Sequence, residues 1–339
     1  MALLRGGITP AGAPARRLIL AAVLVAALAA LLLSLCMGSM DIGVLQVMHA
    51  LFGGDHGLAG RVVNEIRLPR VLGGFVVGGM LALAGALMQV LLRNPLADPY
   101  VLGVSGGASV FALVAMLLGA AAVWVNLAAF AGAFLSMLLV FVLSRLGGSW
   151  DPLRILLTGV VVAAGWGAVI SLLLVLSPAA KLHGMLFWLM GDLSYSRFAW
   201  WYGAALFVLL LACMGGARAM NLLVHGELQA AALGVSVTRL QYFIYFTASL
   251  LTALAVMQAG SIGFIGLVVP HITRLLLGGD HRLLLPVSVL LGGSLLAVAD
   301  SLARTVAAPQ QLPVGVLTAM IGVPLFLLLL QSTALGQKP

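Results

Sequence analysis

Ten apolar runs, each close to the length of a membrane-crossing helix and set apart by charges or Pro/Gly clusters, dominate this 339-residue sequence. They fall at about 18–38, 71–92, 100–119, 123–144, 155–177, 199–217, 240–259, 264–278, 283–303 and 313–331. A helix needs about 20 apolar residues to cross the hydrocarbon core. In lipid, every backbone N–H and C=O must be bonded within the protein. The runs therefore predict an all-α, polytopic membrane protein with about ten transmembrane helices. They lack the alternation of a membrane β-barrel, whose strands are about ten residues long. The chain is 63% hydrophobic and 8% charged, whereas a soluble domain carries about 25% charged residues. The eighth run is short and holds Gly263, Gly266 and Pro270, which predicts a broken or re-entrant helix.

Three segments follow from these boundaries: a tail at 1–17, a ten-helix domain at 18–331 and a tail at 332–339. Arg5, Arg16 and Arg17 precede the first run as in a signal peptide, but that run is long and lacks a small-x-small cleavage site. A retained first span is expected. With both termini cytoplasmic, 11 Lys/Arg fall inside and six outside, the direction the positive-inside rule requires. The net charge of +8 is scattered over loops rather than gathered into a phosphate-tracking stripe, so no nucleic acid is expected. Cys36 and Cys213 lie at opposite membrane faces in this topology and no CxxC spacing occurs, so neither a disulfide nor a metal site is expected. The 41 glycines, among them Gly74-x-x-x-Gly78 and Gly292-Gly293, suit close helix contacts. Two halves of similar span count allow an inverted repeat.

Of nine carboxylates only Asp300 lies within a run, near its outer end. Ion-coupled transporters hold ionisable groups at membrane depth, so coupling to protons or ions is disfavoured. A P-loop needs Gly-x4-Gly-Lys-Ser/Thr. The two lysines, Lys181 and Lys338, follow Ala and Gln, so no Walker A exists and any energy source lies in another chain. Gly103-Val104-Ser105-Gly106-Gly107 fits G-x-S-x-G formally, and His271 lies within an apolar run. A serine protease of the rhomboid type also needs a positioned base and an oxyanion-side pair, and no His-x-x-Asn is present. The other histidines lack the paired spacing of a metal site.

Two loops stand out. The stretch RAMNLLVHGELQAAALGVSVTR at 218–239 holds an amphipathic segment from Glu227 to Gly234, too short to span. Such a segment lies against a partner or the interface; a plain connector is the alternative. Arg93-Asn94-Pro95-Leu96-Ala97-Asp98-Pro99 enforces a rigid turn at the membrane face.

With these loops, several long motifs resemble one family. They are Ile66-Arg67-Leu68-Pro69-Arg70, Gly85-Ala86-Leu87-Met88-Gln89, RNPLADPYVLGVSGGAS at 93–109, Phe187-Trp188-Leu189-Met190-Gly191, GFIGLVVPHITR at 263–274 and LPVGVLTAMIGVPLF at 312–326. In unbroken order over about 17–331, the sequence resembles the FecCD permeases of type II ABC importers, which handle iron–siderophore complexes, haem and cobalamin. The resemblance implies a non-enzymatic, multi-pass permease of the bacterial inner membrane that moves a metal chelate, most often iron–siderophore, by alternating access. It implies a homodimer, two separate ATP-binding subunits that hold the ATP and Mg, no cofactor in this chain, and a substrate-binding protein outside. Glu227, Leu228, Ala231, Leu233 and Gly234 match the family's coupling helix, and Arg67, Arg70 and Arg304 match its docking arginines. Without the resemblance, Arg67 and Arg70 read as interfacial snorkelling residues. Pro152 and Leu153 stand where some members carry small hydroxyl residues at an inner gate. On this resemblance the segment 185–195, with Asp192, is expected to cap the path outside.

Overall fold

The computed structural model describes residues 13–38, 40–54, 57–146, 151–194 and 200–335. Both outer parts of the tails, with Arg5 and Lys338, lie outside them, as do Asp55, Tyr195 and Arg197. Among the described residues all regular structure is helical: α1 (Ala13–Cys36), α2 (Val44–Phe52), α3 (Leu58–Arg61), α4 (Leu68–Leu91), α5 (Val104–Leu117), α6 (Ala122–Arg145), α7 (Pro152–Leu176), α8 (Ala179–Leu189), α9 (Trp200–Leu223), α10 (Glu227–Ala232), α11 (Val237–Ala259), α12 (Ile265–Leu277), α13 (His281–Thr305) and α14 (Val314–Leu335). Each of the ten apolar runs is a helix. Seven are long and apolar enough to cross a membrane, while α5, α12 and the 314–328 part of α14 are shorter apolar helices.

The break expected in the eighth run lies before the helix. Residues 260–264 are non-helical, and Pro270 is accommodated inside α12. A proline in a helix frees the carbonyl one turn upstream. Gly266 lies in that turn and packs against the backbone of α4 at Leu81.

Helix α4 is the hub. Its apolar stretch, 89% of which is buried, packs on α13, α11, α12 and α9. Small residues permit this. A methyl group at Gly78 would collide with the Gly292 carbonyl and come within 2.8 Å of Leu296 Cβ, so α4 and α13 touch backbone to backbone. Helix α7 is the opposite case, with 6% of its apolar stretch buried. Polar contacts tie it to its neighbours: Trp166 Nε1 donates to Ser136 Oγ on α6 (2.9 Å), and Ser136 donates to the Gly103 carbonyl (2.7 Å). Interhelical bonds of this kind hold helices together where lipid provides no hydrophobic drive.

Gly78→Leu is expected to destabilise the fold by about 2 kcal/mol or more through overpacking. Gly215→Ala, which meets nothing within 4 Å, should be neutral. Thermal unfolding of the two variants in detergent checks this, and equal midpoints would contradict the α4–α13 contact.

Candidate functional sites at the two faces

The chain folds the loop after α4, the start of α7 and the α9–α11 connection onto one face. There Arg93, Asp151, Pro152, His225, Gly226, Glu227, Leu228 and Gln229 line an open groove of about 560 Å³. Helix α10 is bounded by Gly226 at φ +126° and Gly234 at φ +84°, conformations that glycine adopts without a Cβ penalty. Between them the single turn is set by Glu227. Its carboxylate is 3.1 Å from the Arg93 guanidinium and accepts a 3.1 Å bond from Gln241 Nε2. Arg93 sits just past the end of α4 at φ 48°. Both partners of this pair are partly exposed, so it contributes only about 0–1 kcal/mol and serves chiefly to orient α10 against α4.

With Glu227 turned inward, Leu228 is 88% and Leu233 67% exposed, two apolar side chains projecting from a short helix. Ala231 and Gly234 are exposed beside them. Asp151 caps α7 by accepting from Leu153 N at 3.0 Å, and Pro152 takes the first helical position, where its missing N–H costs nothing. Pro152 is buried, while the Leu153 side chain is exposed. The structure thus brings Pro152 into the same groove as Glu227.

Two further carboxylates near this face have defined roles. Asp280 accepts from Asn221 Nδ2 (2.8 Å), which holds its carboxyl below the usual range. Asp98 accepts from Tyr100 N (2.8 Å), and burial pushes its carboxyl up to about 6. The Tyr100 hydroxyl in turn accepts from Ile262 N (3.0 Å), satisfying an amide in the stretch before α12.

The opposite face is built around Asp300. Its carboxylate is 2% exposed, and Arg70 grips it with two parallel 2.8 Å bonds. Arg304, one turn on, approaches the same carboxylate at 3.3 Å and donates to Ser301 Oγ at 3.0 Å. Planar two-point contact of this kind is what a guanidinium offers and an ammonium does not. Asp300 is the one carboxylate the sequence places within a span. Its pairing with Arg70, at the far end of the chain, is the feature that sequence reasoning missed.

Arg67 has a different setting from the one its motif suggests. It is 3% exposed, and its guanidinium donates to the carbonyls of Leu35 (2.8 Å), Cys36 (2.7 Å) and Met40. It closes the C-terminal end of α1, whose last carbonyls have no intrahelical partner. The preceding residues, Val62–Arg67, are wound as a π-helix, so that Arg67 meets α1 while Arg70, three residues on, meets α13. The Nη1 and Nη2 donors of Arg67 are thus committed inside the chain rather than offered to a partner.

Ser105 Oγ lies 2.7 Å from Ser261 Oγ, so its hydroxyl pairs with another hydroxyl. Neither ring nitrogen of His271 has a hydrogen-bond partner among the described residues. The serine-protease pairing is not formed.

Residues 23–332 match the profile of the FecCD transport family. A cobalamin import system permease protein, BtuC, of Halobacterium salinarum is 45% identical over 277 residues, covering 80% of this chain and 73% of the relative. An Fe(3+) dicitrate transport system permease protein, FecD, of Escherichia coli K12 is 41% identical over 277 residues, covering 79% and 85%. A metal-chelate type ABC transporter solved in an inward-facing conformation superposes with a TM-score of 0.84 at 30% identity, over 92% of this chain and 98% of the other.

Asp300→Asn leaves two guanidinium groups without their counter-charge and is expected to destabilise the fold by about 3–5 kcal/mol. Chemical denaturation in detergent measures it; a change under 1 kcal/mol (a margin set by the value of exposed pairs) would contradict a buried, shared carboxylate.

Proposed function

The chain belongs to the FecCD transport family, and from that membership we propose that its Glu227 face seats on an ATPase while its Arg70 face receives a substrate-binding protein. It is a multi-pass permease of the cell membrane, of the ABC-importer type that serves metal chelates, and a transport component rather than an enzyme. The observation that carries the division of labour is α10, where Leu228 and Leu233 project outward while Glu227 is held back against Arg93. Two exposed leucines on a glycine-bounded turn offer an apolar knob to a groove on a partner, and buried apolar contacts of this sort dominate interface energies. The Arg93–Glu227 pair then carries movement of the knob to the end of α4, the hub of the fold.

On the opposite face, Asp300 neutralises one of the two arginines that share it, leaving one unit of positive charge, while Arg67 beneath interacts with Asp41. Complementary charge steers encounter and sets register, so an acidic patch on the binding protein fits this face. The binding protein then docks outside, both termini are cytoplasmic, and Pro152 and Leu153 form the inner constriction. The exposed apolar surface of α7 supports a second copy of this chain across the path. ATP and Mg are held by two partner subunits. The cargo is a metal chelate of the iron–siderophore, cobalamin or haem class, with iron–siderophore put first. The binding protein, not this chain, makes the choice.

Glu227→Lys sets two cations together at the root of α10. It should abolish ATP-dependent uptake while leaving the protein's level and thermal midpoint unchanged; wild-type uptake would refute the coupling role. The assay compares labelled iron–siderophore, cobalamin and haem in cells lacking the chain and complemented with it, with and without ATP supply. Recovery of one ligand fixes the cargo, and uptake without ATP would sink the importer reading. Arg70→Gln, which leaves Asp300 paired with Arg304, should weaken binding-protein docking severalfold at low salt, and less at high salt, where charges are screened, in protein whose thermal midpoint is close to wild type. An unchanged dissociation constant would count against docking at this face.

A further inference from the structure

The arginine cluster does not end at Asp300. Arg70 has one nitrogen left, Nη1, and it reaches Gln311 Oε1 at 3.4 Å. The same oxygen lies 2.9 Å from Ser194 Oγ. Ser194 Oγ is in turn 2.6 Å from Asp192 Oδ1, which also accepts from Ser194 N at 2.7 Å. A chain of hydrogen bonds therefore runs from Asp300 through Arg70 and Gln311 to Ser194 and Asp192. It joins three segments far apart in sequence: the start of α4, the α13–α14 loop and the loop after α8.

The receiving loop is tightly seated. Asp192 N donates to the Ala259 carbonyl (2.9 Å) at the end of α11. Leu193 is fully buried. Gly191 packs against Ser261 and Ile262, and Gly315 at the start of α14 packs against the Met190 carbonyl. Ser194 itself is exposed, as is Gln311.

The chemistry at Ser194 has two settings. A hydroxyl carries one proton, yet two acceptors lie within reach, Asp192 Oδ1 and Gln311 Oε1. The loop is either closed on itself through Asp192 or tied to the α13–α14 loop through Gln311. Which one wins depends on how strongly Arg70 holds the Gln311 oxygen, and that contact is the longest in the chain. An anionic group that takes up the Arg70 Nη1 donor, with the guanidinium still clamped to Asp300, frees the Gln311 oxygen from that cation and makes it a stronger acceptor for the Ser194 hydroxyl.

We propose that Gln311 and Ser194 are positioning residues that relay binding-protein docking at Arg70 to the loop over the outer end of the path. The proposal rests on the docking reading above and adds the route by which docking is felt.

The test uses the complete transporter, reconstituted with its ATPase and with the binding protein whose deletion abolishes uptake in the same cells. Gln311→Leu and Ser194→Ala cut the relay from either side at exposed positions. Each should leave the dissociation constant of the binding protein within about twofold of wild type, while its stimulation of ATP hydrolysis and uptake falls about fivefold or more, the scale of a typical coupling between sites. Because both break one link, the double variant should lose no more than either single one. Stimulation at the wild-type level in either variant, or losses that multiply in the double, would overturn the relay. So would a parallel fall in affinity, which would place Gln311 in the docking surface itself. Arg70→Gln, which leaves Asp300 paired with Arg304, measured alongside in protein whose thermal midpoint shows it folded, separates the two. Lost affinity there with intact stimulation in the relay variants defeats the relay alone, and unchanged affinity there defeats docking at this face and the relay with it.

Discussion

Every helix end that stops inside the protein leaves carbonyls or amides that lipid cannot satisfy, and the architecture depends on how those ends are closed. Arg67, at the end of the π-helix before α4, closes α1 by donating to the Leu35 and Cys36 carbonyls and reaches the Met40 carbonyl just beyond it. Tyr100 takes the Ile262 amide in the stretch before α12, and Gln89 Nε2 donates to the Leu267 carbonyl in the first turn of that helix. Ser136 adds a second donor to the Gly103 carbonyl, which already takes the first intrahelical bond of α5 from Gly107 N. A buried polar group without a partner costs several kcal/mol in hydrocarbon, so each such contact fixes two elements relative to one another. The short helices α5 and α12 are held at their starts by side chains from α4, α6 and the Pro99–Leu102 turn.

The two faces use charge in opposite ways. Asp300 is enclosed and shared between two arginines, so its pairing is rigid and carries structural weight. Glu227 and Arg93 are half in water, where a pair has little energetic weight but still fixes an angle. The buried cluster can hold a shape against an approaching protein. The exposed pair keeps that angle while leaving α10 open to a neighbouring subunit.

Much of this was legible in the sequence. Ten runs of the right length gave ten helices, because hydrophobic length is a local property and lipid allows no other local solution. The amphipathic segment at Glu227 could be read from its flanking glycines, and Asp300 stood out as the only carboxylate within a span. What stayed hidden was pairing across distance. An arginine at a membrane edge has the same local pattern whether it faces solvent or a neighbouring helix end, so nothing near Arg67 signalled that α1 had claimed it. The Arg70–Asp300 and Arg93–Glu227 partners likewise come from helices that only folding brings together, and Gln311 sits in a loop with no motif of its own. The eighth run misled in detail because glycine and proline mark a break without saying on which side it falls.

The central position of α4 has a consequence in time. Its glycine-lined surface is complete once the first third of the chain has entered the membrane, yet the helix that fits Gly78 most closely is α13, near the other end. At a synthesis rate of about 5–20 residues per second, roughly ten to forty seconds separate the emergence of the two. Throughout that interval α4 can pack against α9, α11 and α12 as they emerge, while its Gly78 side waits uncovered. A chain interrupted before α13 therefore keeps part of its core but lacks the closest helix contact of the fold, so a late truncation removes a partner that the first third of the chain is shaped to receive.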